Sequence, residues 1–277
     1  MGLISQHQVE EILRVPHFSG SGYSHLDLNE NLDFYRYYFV EPLLARPDAD
    51  AIATVAGIGA GYGWLSIAFA LATRKRILAL DMNAERLVAA RRIADIMGVL
   101  DKIEWRVGSV GSLPMAAGEA DASYCVEVIE HTGRDRGIVR DLARVSGRYL
   151  TITTPNLVFP VIHHDTALPF CHWLPIPLRN LYASACGRRR TQDNNLFWSP
   201  GRLQRALPDF ERITGFFQFA DYAAYRRAER ALAAGRRAPP GLGRRLRDRY
   251  YRIAALAGRR SIYLLPNLAS TFRRRGG

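Results

Sequence analysis

Two stretches of this chain concentrate residue types that can do chemistry. The first runs T-V-A-G-I-G-A-G-Y-G-W-L-S from Thr54 to Ser66 and places Gly57, Gly59, Gly61 and Gly63 at alternate positions. Glycines spaced this way let the backbone take positive φ and let a ligand lie against bare main chain. A helical pattern follows at once, so the first N–H groups of that helix point at the same spot. The second stretch, E-V-I-E-H, brings Glu127, Glu130 and His131 together. An imidazole with a pKa near ~6.5 can take a proton from a substrate hydroxyl at neutral pH. His131 is the first candidate base or orienting group, and Glu130 is placed to pin it. His131 could equally brace the turn it stands in. His163, His164 and Asp165 are the second candidates.

The glycine spacing narrows the ligand. A dinucleotide fingerprint needs a small residue where Tyr62 or Trp64 stands. A phosphate P-loop needs lysine after its glycines, and none is present. A nucleoside-type ligand fits better. Asp81 supports it from the end of I-L-A-L-D, where a carboxylate can accept hydrogen bonds from both hydroxyls of a ribose. Its alternative role is to cap the next helix, which Asn83 can do instead.

The elements that must position these residues alternate. Strands are predicted over 51–57, 76–80, 102–107, 120–126 and 147–153, with helices over 63–73, 84–98 and 134–145. That rhythm predicts an α/β fold, a doubly wound and mostly parallel Rossmann-like sheet. Ligands in such sheets bind at the carboxyl ends of the strands. The candidate positions are therefore 57–63, Asp81, Ser109, 127–131 and 154–156. Residues 1–49 read as an N-terminal helical cap dense in aromatics (Phe34, Tyr35, Tyr37, Tyr38, Phe39), serving the core or covering the ligand. The main domain spans 50–222, with a proline-broken aromatic insertion at 155–200 read as a substrate lid or a structural cap. A further strand is predicted over 210–219. Residues 223–277 read as a basic tail with an amphipathic helix over 244–258.

Charge and composition bound the rest. The chain has 277 residues and a net charge of +12. Residues 223–277 hold 15 Arg against two acids, +13, which leaves −1 for everything before them. Basicity is thus a property of the tail and says nothing about the site. The three cysteines form no C-x-x-C, and His163, His164, Cys171, His172 and Cys186 match no standard zinc spacing, so no metal is expected. No apolar run approaches the ~18 residues of a spanning helix, and no secretory leader opens the chain. A cytoplasmic location follows, with membrane-peripheral attachment open to the arginine tail.

V-A-G-I-G-A-G-Y-G, then A-L-D-M-N, V-G-S-V-G-S-L-P, D-A-S-Y-C-V-E-V-I-E-H and T-I-T-T-P-N, in that order over about 50–156, resemble the class I S-adenosylmethionine-dependent methyltransferases. The likeness is greatest to the small-molecule branch typified by ubiquinone-biosynthesis methyltransferases. The resemblance implies S-adenosylmethionine as cofactor. It implies that Gly59, Ala60, Gly61 and Gly63 hold its amino-acid part, that Asp81 holds the ribose, and that Met82, Ser109 and Val110 flank the adenine. It places Glu127, Glu130 and His131 beside the reactive methyl. Two positions depart from the family: Gly57 stands where it carries an acid, and Ser109 where it carries Asp. Each departure removes a polar contact worth ~1–3 kcal/mol in a buried site. The implied activity is O-methylation of a small hydrophobic, lipid-linked or saccharide acceptor. The alternatives are an RNA methyltransferase that uses the arginine tail, and a non-catalytic scaffold on the cofactor fold. Nucleic acid is the least favoured partner, since no RNA-binding motif accompanies the arginines.

Overall fold

Strands β1 (Thr54–Ile58), β2 (Arg76–Asp81), β3 (Ile103–Val107), β4 (Ala120–Val126) and β5 (Ser146–Thr153) run parallel, as their alternation with helices predicts. The computed structural model describes residues 4–132, 136–163, 165–188, 197–234 and 241–276. His164, named above as a candidate, lies outside them. Two short strands, β6 (Phe210–Arg212) and β7 (Ser270–Arg274), complete a seven-stranded sheet of order β3-β2-β1-β4-β5-β7-β6. β7 is antiparallel to both of its neighbours. The order reverses at β1 and β4, the place where open α/β sheets leave a crevice for ligands.

Side chains alternate across the sheet with period two. Val55, Ile77, Ala79, Tyr124 and Tyr149 enter one buried cluster, and Ala56, Leu78, Leu80, Cys125 and Leu150 enter the other. α4 (Trp64–Ala72) and α5 (Ala84–Ile96) cover the first face. α6 (Arg136–Val145) and α8 (Pro200–Ala206) cover the second, through residues such as Val139, Leu142 and Leu203. α7 (Ile176–Ala185) belongs to the insertion. With hydrophobic layers on both sides the sheet is doubly wound.

The N-terminal segment folds onto the first layer. α1 (Gln6–Leu13) starts with a capping box in which Gln8 N–H donates to Ser5 Oγ and Ser5 N–H to Gln8 Oε1. Gln8 Nε2 also donates to Ile96 O at 2.9 Å, fastening α1 to α5. α2 (Leu28–Tyr35) runs into a π-helical turn, Arg36–Val40, and then into α3 (Glu41–Leu44). A π turn widens the helix and shifts side-chain directions, and such turns concentrate at functional sites.

Two expectations change. The strand predicted over 210–219 stops at Arg212, because the chain doubles back. Gly215 N–H bonds to the carbonyls of Phe219 and Ala220, closing a tight loop. The 223–277 segment is not an appended tail. It forms α9 (Tyr222–Ala234) and α10 (Leu242–Ala255), then inserts β7 between β5 and β6. Arg274 is bound into the body by the carbonyls of Ala143, Ser146 and Gly147. The alternation of Leu268, Ser270 and Phe272 on a buried strand was masked in sequence by the arginines around it.

Because β7 is interior, its core side chain should matter to global stability. Phe272 is 2% exposed within the second cluster. Phe272→Ala is expected to lower unfolding free energy by about 3–5 kcal/mol in urea titration. A change within about 0.5 kcal/mol would mean that the terminal strand is dispensable.

Candidate functional site

The glycine turn follows β1 and is shaped by backbone geometry. Gly59 has φ +72° and sits so close to Val128 that any side chain would collide with it. Gly61 faces open space, leaving bare main chain toward the cavity. Gly63 caps α4 with φ +80° and packs on Trp105, which a Cβ would meet at 2.9 Å. Ala60 N–H donates to Leu80 O at 2.7 Å, tying the turn to the end of β2.

Asp81 completes that tie. Its Oδ2 accepts from Gly61 N–H at 2.8 Å, and its Oδ1 accepts from Asn83 N–H at 2.9 Å. Asn83 is the cap of α5, through Oδ1 and Arg86 N–H, so Asp81 is released from that duty. Asp81 is 4% exposed yet lines the cavity. Each carboxylate oxygen retains a lone pair for a further donor. Arg86 Nη1 lies 3.9 Å from Oδ2 and balances the charge.

At the end of β4 the chain turns sharply. Glu127 takes φ +54°, a left-handed conformation that costs a non-glycine residue ~1–3 kcal/mol and concentrates at active sites. Its N–H is held by Thr153 O at 2.9 Å and Thr153 Oγ1 at 3.2 Å. Glu130 is fully buried and accepts from Thr154 Oγ1 at 3.0 Å. Burial raises the Glu127 carboxyl well above the ordinary range, and the neighbouring Glu130 charge raises it further. Burial raises Glu130 too, offset in part by its bonds with Thr154 and Glu127. The pair therefore holds protons into the neutral range. His131 stands on the cavity wall, close enough to Glu127 to act on its charge.

These parts open on one cavity of about 920 Å³. Gly59, Ala60, Gly61, Asp81, Met82, Ser109, Val110, Glu127 and His131 all line it. Gly57, Gly63, Glu130 and His163 do not. Gly57 is inside β1, paired with Ala79 and Tyr124, and Ser66 Oγ occupies the space a side chain would need, 2.9 Å from its Cβ position. The acid expected at that point has no room here. Glu130 reaches the cavity only through Glu127. His163 is exposed on the 155–200 insertion, which supplies no described residue to the cavity wall. Within 154–156, Asn156 is likewise structural: its Nδ2 donates to the carbonyls of Ile262 and Leu265 and anchors the C-terminal segment.

The aromatic walls of the cavity come from both ends of the chain, not from the 155–200 insertion. Tyr23, Phe34, Tyr35, Tyr38 and Phe39 form one wall. Phe217, Gln218, Tyr225, Glu229, Arg247 and Tyr251 form the other. Tyr38 Oη donates to Glu229, and Arg244 and Arg247 pair with the same carboxylate at 3.3 and 3.6 Å. Burial raises the phenols of Tyr38 and Tyr225 far above their usual value, so both stay neutral donors. The N-terminal aromatics were visible in sequence as a cluster. The C-terminal wall had no local signal, because its members come from one loop and two helices.

Residues 55–147 match the family model described as "Methyltransferase domain". Over that stretch the chain is similar to methyltransferase domains. Among solved structures, the cyclase SpnF is 15% identical and superposes with a TM-score of 0.52, covering 87% of this chain and 82% of its own, which shows a shared fold. Magnesium protoporphyrin IX methyltransferase from Synechocystis, with bound SAH, is 14% identical, covers 76% of this chain and 85% of its own, and gives a TM-score of 0.46. Geranyl diphosphate methyltransferase in complex with SAM is 14% identical, covers 99% of this chain and 95% of its own, and gives 0.47. No curated protein sequence matches the chain significantly.

S-adenosylmethionine is the cofactor of such a methyltransferase, and the residues present fit it. The bare backbone at Gly61, the buried Asp81 and the apolar pair Met82 and Val110 provide a cradle for a nucleoside. Trp64 lines the same cavity, and its buried Nε1 has no hydrogen-bond partner among the described residues. A buried donor left unmade costs about 1–3 kcal/mol, so a ligand acceptor there is favoured. The described residues contain no cluster of metal-ligating side chains.

Asp81→Ala removes the tie between the two loops together with the carboxylate on the cavity wall. Calorimetric titration should show S-adenosylmethionine affinity reduced by roughly 100-fold, about 2–3 kcal/mol. Unchanged affinity would remove Asp81 from the site. The carboxyl pair predicts a pH effect. Both carboxyls bind protons more tightly folded than unfolded, so stability should fall as pH rises from the ordinary carboxylate range toward 8. Glu130→Gln should flatten that fall in thermal melts at pH 5 and pH 8. A parallel decline in both proteins would show that the pair is ionised throughout.

Proposed function

We propose that this methyltransferase acts on a hydroxyl of a small, largely apolar acceptor held in the aromatic half of its cavity. The observation that carries the reading is continuity. One chamber runs from the cofactor cradle at Gly59–Gly61 and Asp81 to Tyr38, Phe217, Tyr225 and Tyr251. Its volume, about 920 Å³, lies at the upper end for ligand sites and suits a cofactor and an acceptor together. A small-molecule acceptor also agrees with the ubiquinone-biosynthesis enzymes that the sequence resembles. Aromatic faces suit a flat ring, a lipid-linked head or the CH face of a sugar. Gln218, Glu229 and Arg247 offer polar anchors at the same end.

When bound, S-adenosylmethionine supplies an electrophilic methyl group. The chain's own residues do the rest. Aromatic walls from both termini exclude water and align the acceptor. His131 accepts the hydroxyl proton on a ring nitrogen. The strained turn at Glu127 fixes where that imidazole stands. No phosphate-binding loop or metal is asked for.

Mass spectrometry of small-molecule extracts incubated with methyl-labelled cofactor tests the reading, with a labelled O-methyl product expected. On that product, His131→Ala should lower kcat by ~10²–10⁴ and leave cofactor affinity intact. Turnover at the wild-type level would sink the role of His131. A label found only on RNA would transfer the activity to the second enzyme reading.

A further inference from the structure

We propose that the outer face of α10, with the turn that follows it, docks on an anionic lipid bilayer. Leu242, Leu246, Ile253 and Leu256 are 73%, 55%, 68% and 86% exposed. At about 100° per residue these positions fall within one narrow stripe. The opposite side of α10 is committed: Tyr251 and Ala254 are buried, Arg244 and Arg247 pair with Glu229, and Asp248 pairs with Arg226. The exposed stripe is thus left over after the helix has packed.

Charge flanks it. Arg245, Arg249 and Arg252 stand on the outward side and are exposed, and none of them forms an ion pair among the described residues. Arg259 and Arg260 follow in the 3-10 turn Gly258–Tyr263, beside the exposed Tyr263 and Leu264. Tyr250 joins the two pieces by donating to Leu264 O at 2.5 Å. Its ring meets Phe159 at 6.3 Å, and from there the surface continues to the exposed Trp173 and Phe170, whose rings are 5.0 Å apart. Aliphatic side chains with arginines along one edge and tyrosine and tryptophan at the other margin are what a bilayer interface rewards. No helix among the described residues is long and apolar enough to cross a membrane.

Other occupants fit less well. A phosphate backbone would use the arginines but leave the leucine and isoleucine side chains in water. A second copy related by a two-fold axis would bring arginine against arginine. An anionic bilayer uses both features at once. α10 is then two-sided. Its inner face carries Arg247 and Tyr251 into the cavity wall, so docking brings the cavity to the lipid surface. That last step rests on the acceptor reading above; the docking does not.

The test uses the full chain and vesicles of phosphatidylcholine, alone or mixed with phosphatidylglycerol. Co-sedimentation should appear with the mixed vesicles, weaken with salt, and drop roughly tenfold or more in Leu246→Ser/Ile253→Ser and in Arg245→Glu/Arg249→Glu. Unchanged circular dichroism and cofactor affinity would show that both variants fold. No binding to mixed vesicles, or binding that neither variant weakens, overturns the proposal. It is also overturned if single-stranded RNA binds in place of vesicles and only the arginine variant is affected, or if the serine variant dissociates a dimer of a chain that ignores vesicles. Methyl transfer is not read in this experiment, so its failure leaves the enzyme reading standing.

Discussion

The carboxylate of Asp81 holds the cofactor end of this protein together. Parallel strands leave their carboxyl ends unconnected, and the loops beyond them would diverge without a cross-tie. Asp81 accepts from Gly61 on one loop and from Asn83 on the other. The main-chain bond from Ala60 to Leu80 closes the same junction. The turn after β1 can therefore present bare backbone in one conformation, and α4 and α5 leave the sheet at set positions. A buried carboxylate is costly, and here it is offset by two N–H donors and a nearby guanidinium.

A second group of carboxyls works the opposite way. Glu127 and Glu130 receive fewer compensating donors, so burial keeps them protonated toward neutrality rather than ionised. One pays for its place with a left-handed backbone, and both are kept in place by Thr153 and Thr154. The same short stretch orients His131 toward the cavity. Strain, desolvation and a titratable imidazole meet within five residues, the combination that proton-transfer sites require.

The aromatic half of the cavity is a product of both chain ends. Tyr38 from the π turn donates to Glu229 of α9, and that carboxylate gathers Arg244 and Arg247 from α10. One buried polar knot thus joins the N-terminal cap to the C-terminal helices across the mouth of the sheet. The phenylalanine and tyrosine rings around it, from Phe216 to Tyr251, form a third core cluster distinct from the two that flank the sheet. Among the described residues the arginines of the segment divide: Arg244 and Arg247 neutralise Glu229, Arg226 pairs with Asp248, Arg274 holds β7, and Arg245, Arg249 and Arg252 are exposed.

Local rules settled much of this from the residues alone. The strands and helices between 51 and 153 follow from period-two and period-3.6 patterns that need no partner to be read. Glycine spacing and Asp81 marked the cofactor end, because backbone freedom and ribose recognition depend on residue type at short range. What tertiary structure decided lies where contact is long-range. Gly57 proved to be packing space for Ser66, and Glu130 and His163 proved not to touch the cavity. The aromatic cavity wall comes from Tyr38 and Tyr225, far apart in sequence, and no described residue of the proline-rich insertion joins it. β7 enters the sheet between β5 and β6, one strand from its edge, although the arginines beside it read as a basic tail. Strand pairing and cavity walls are set by which distant surfaces bury one another, and no pattern within one segment carries that information.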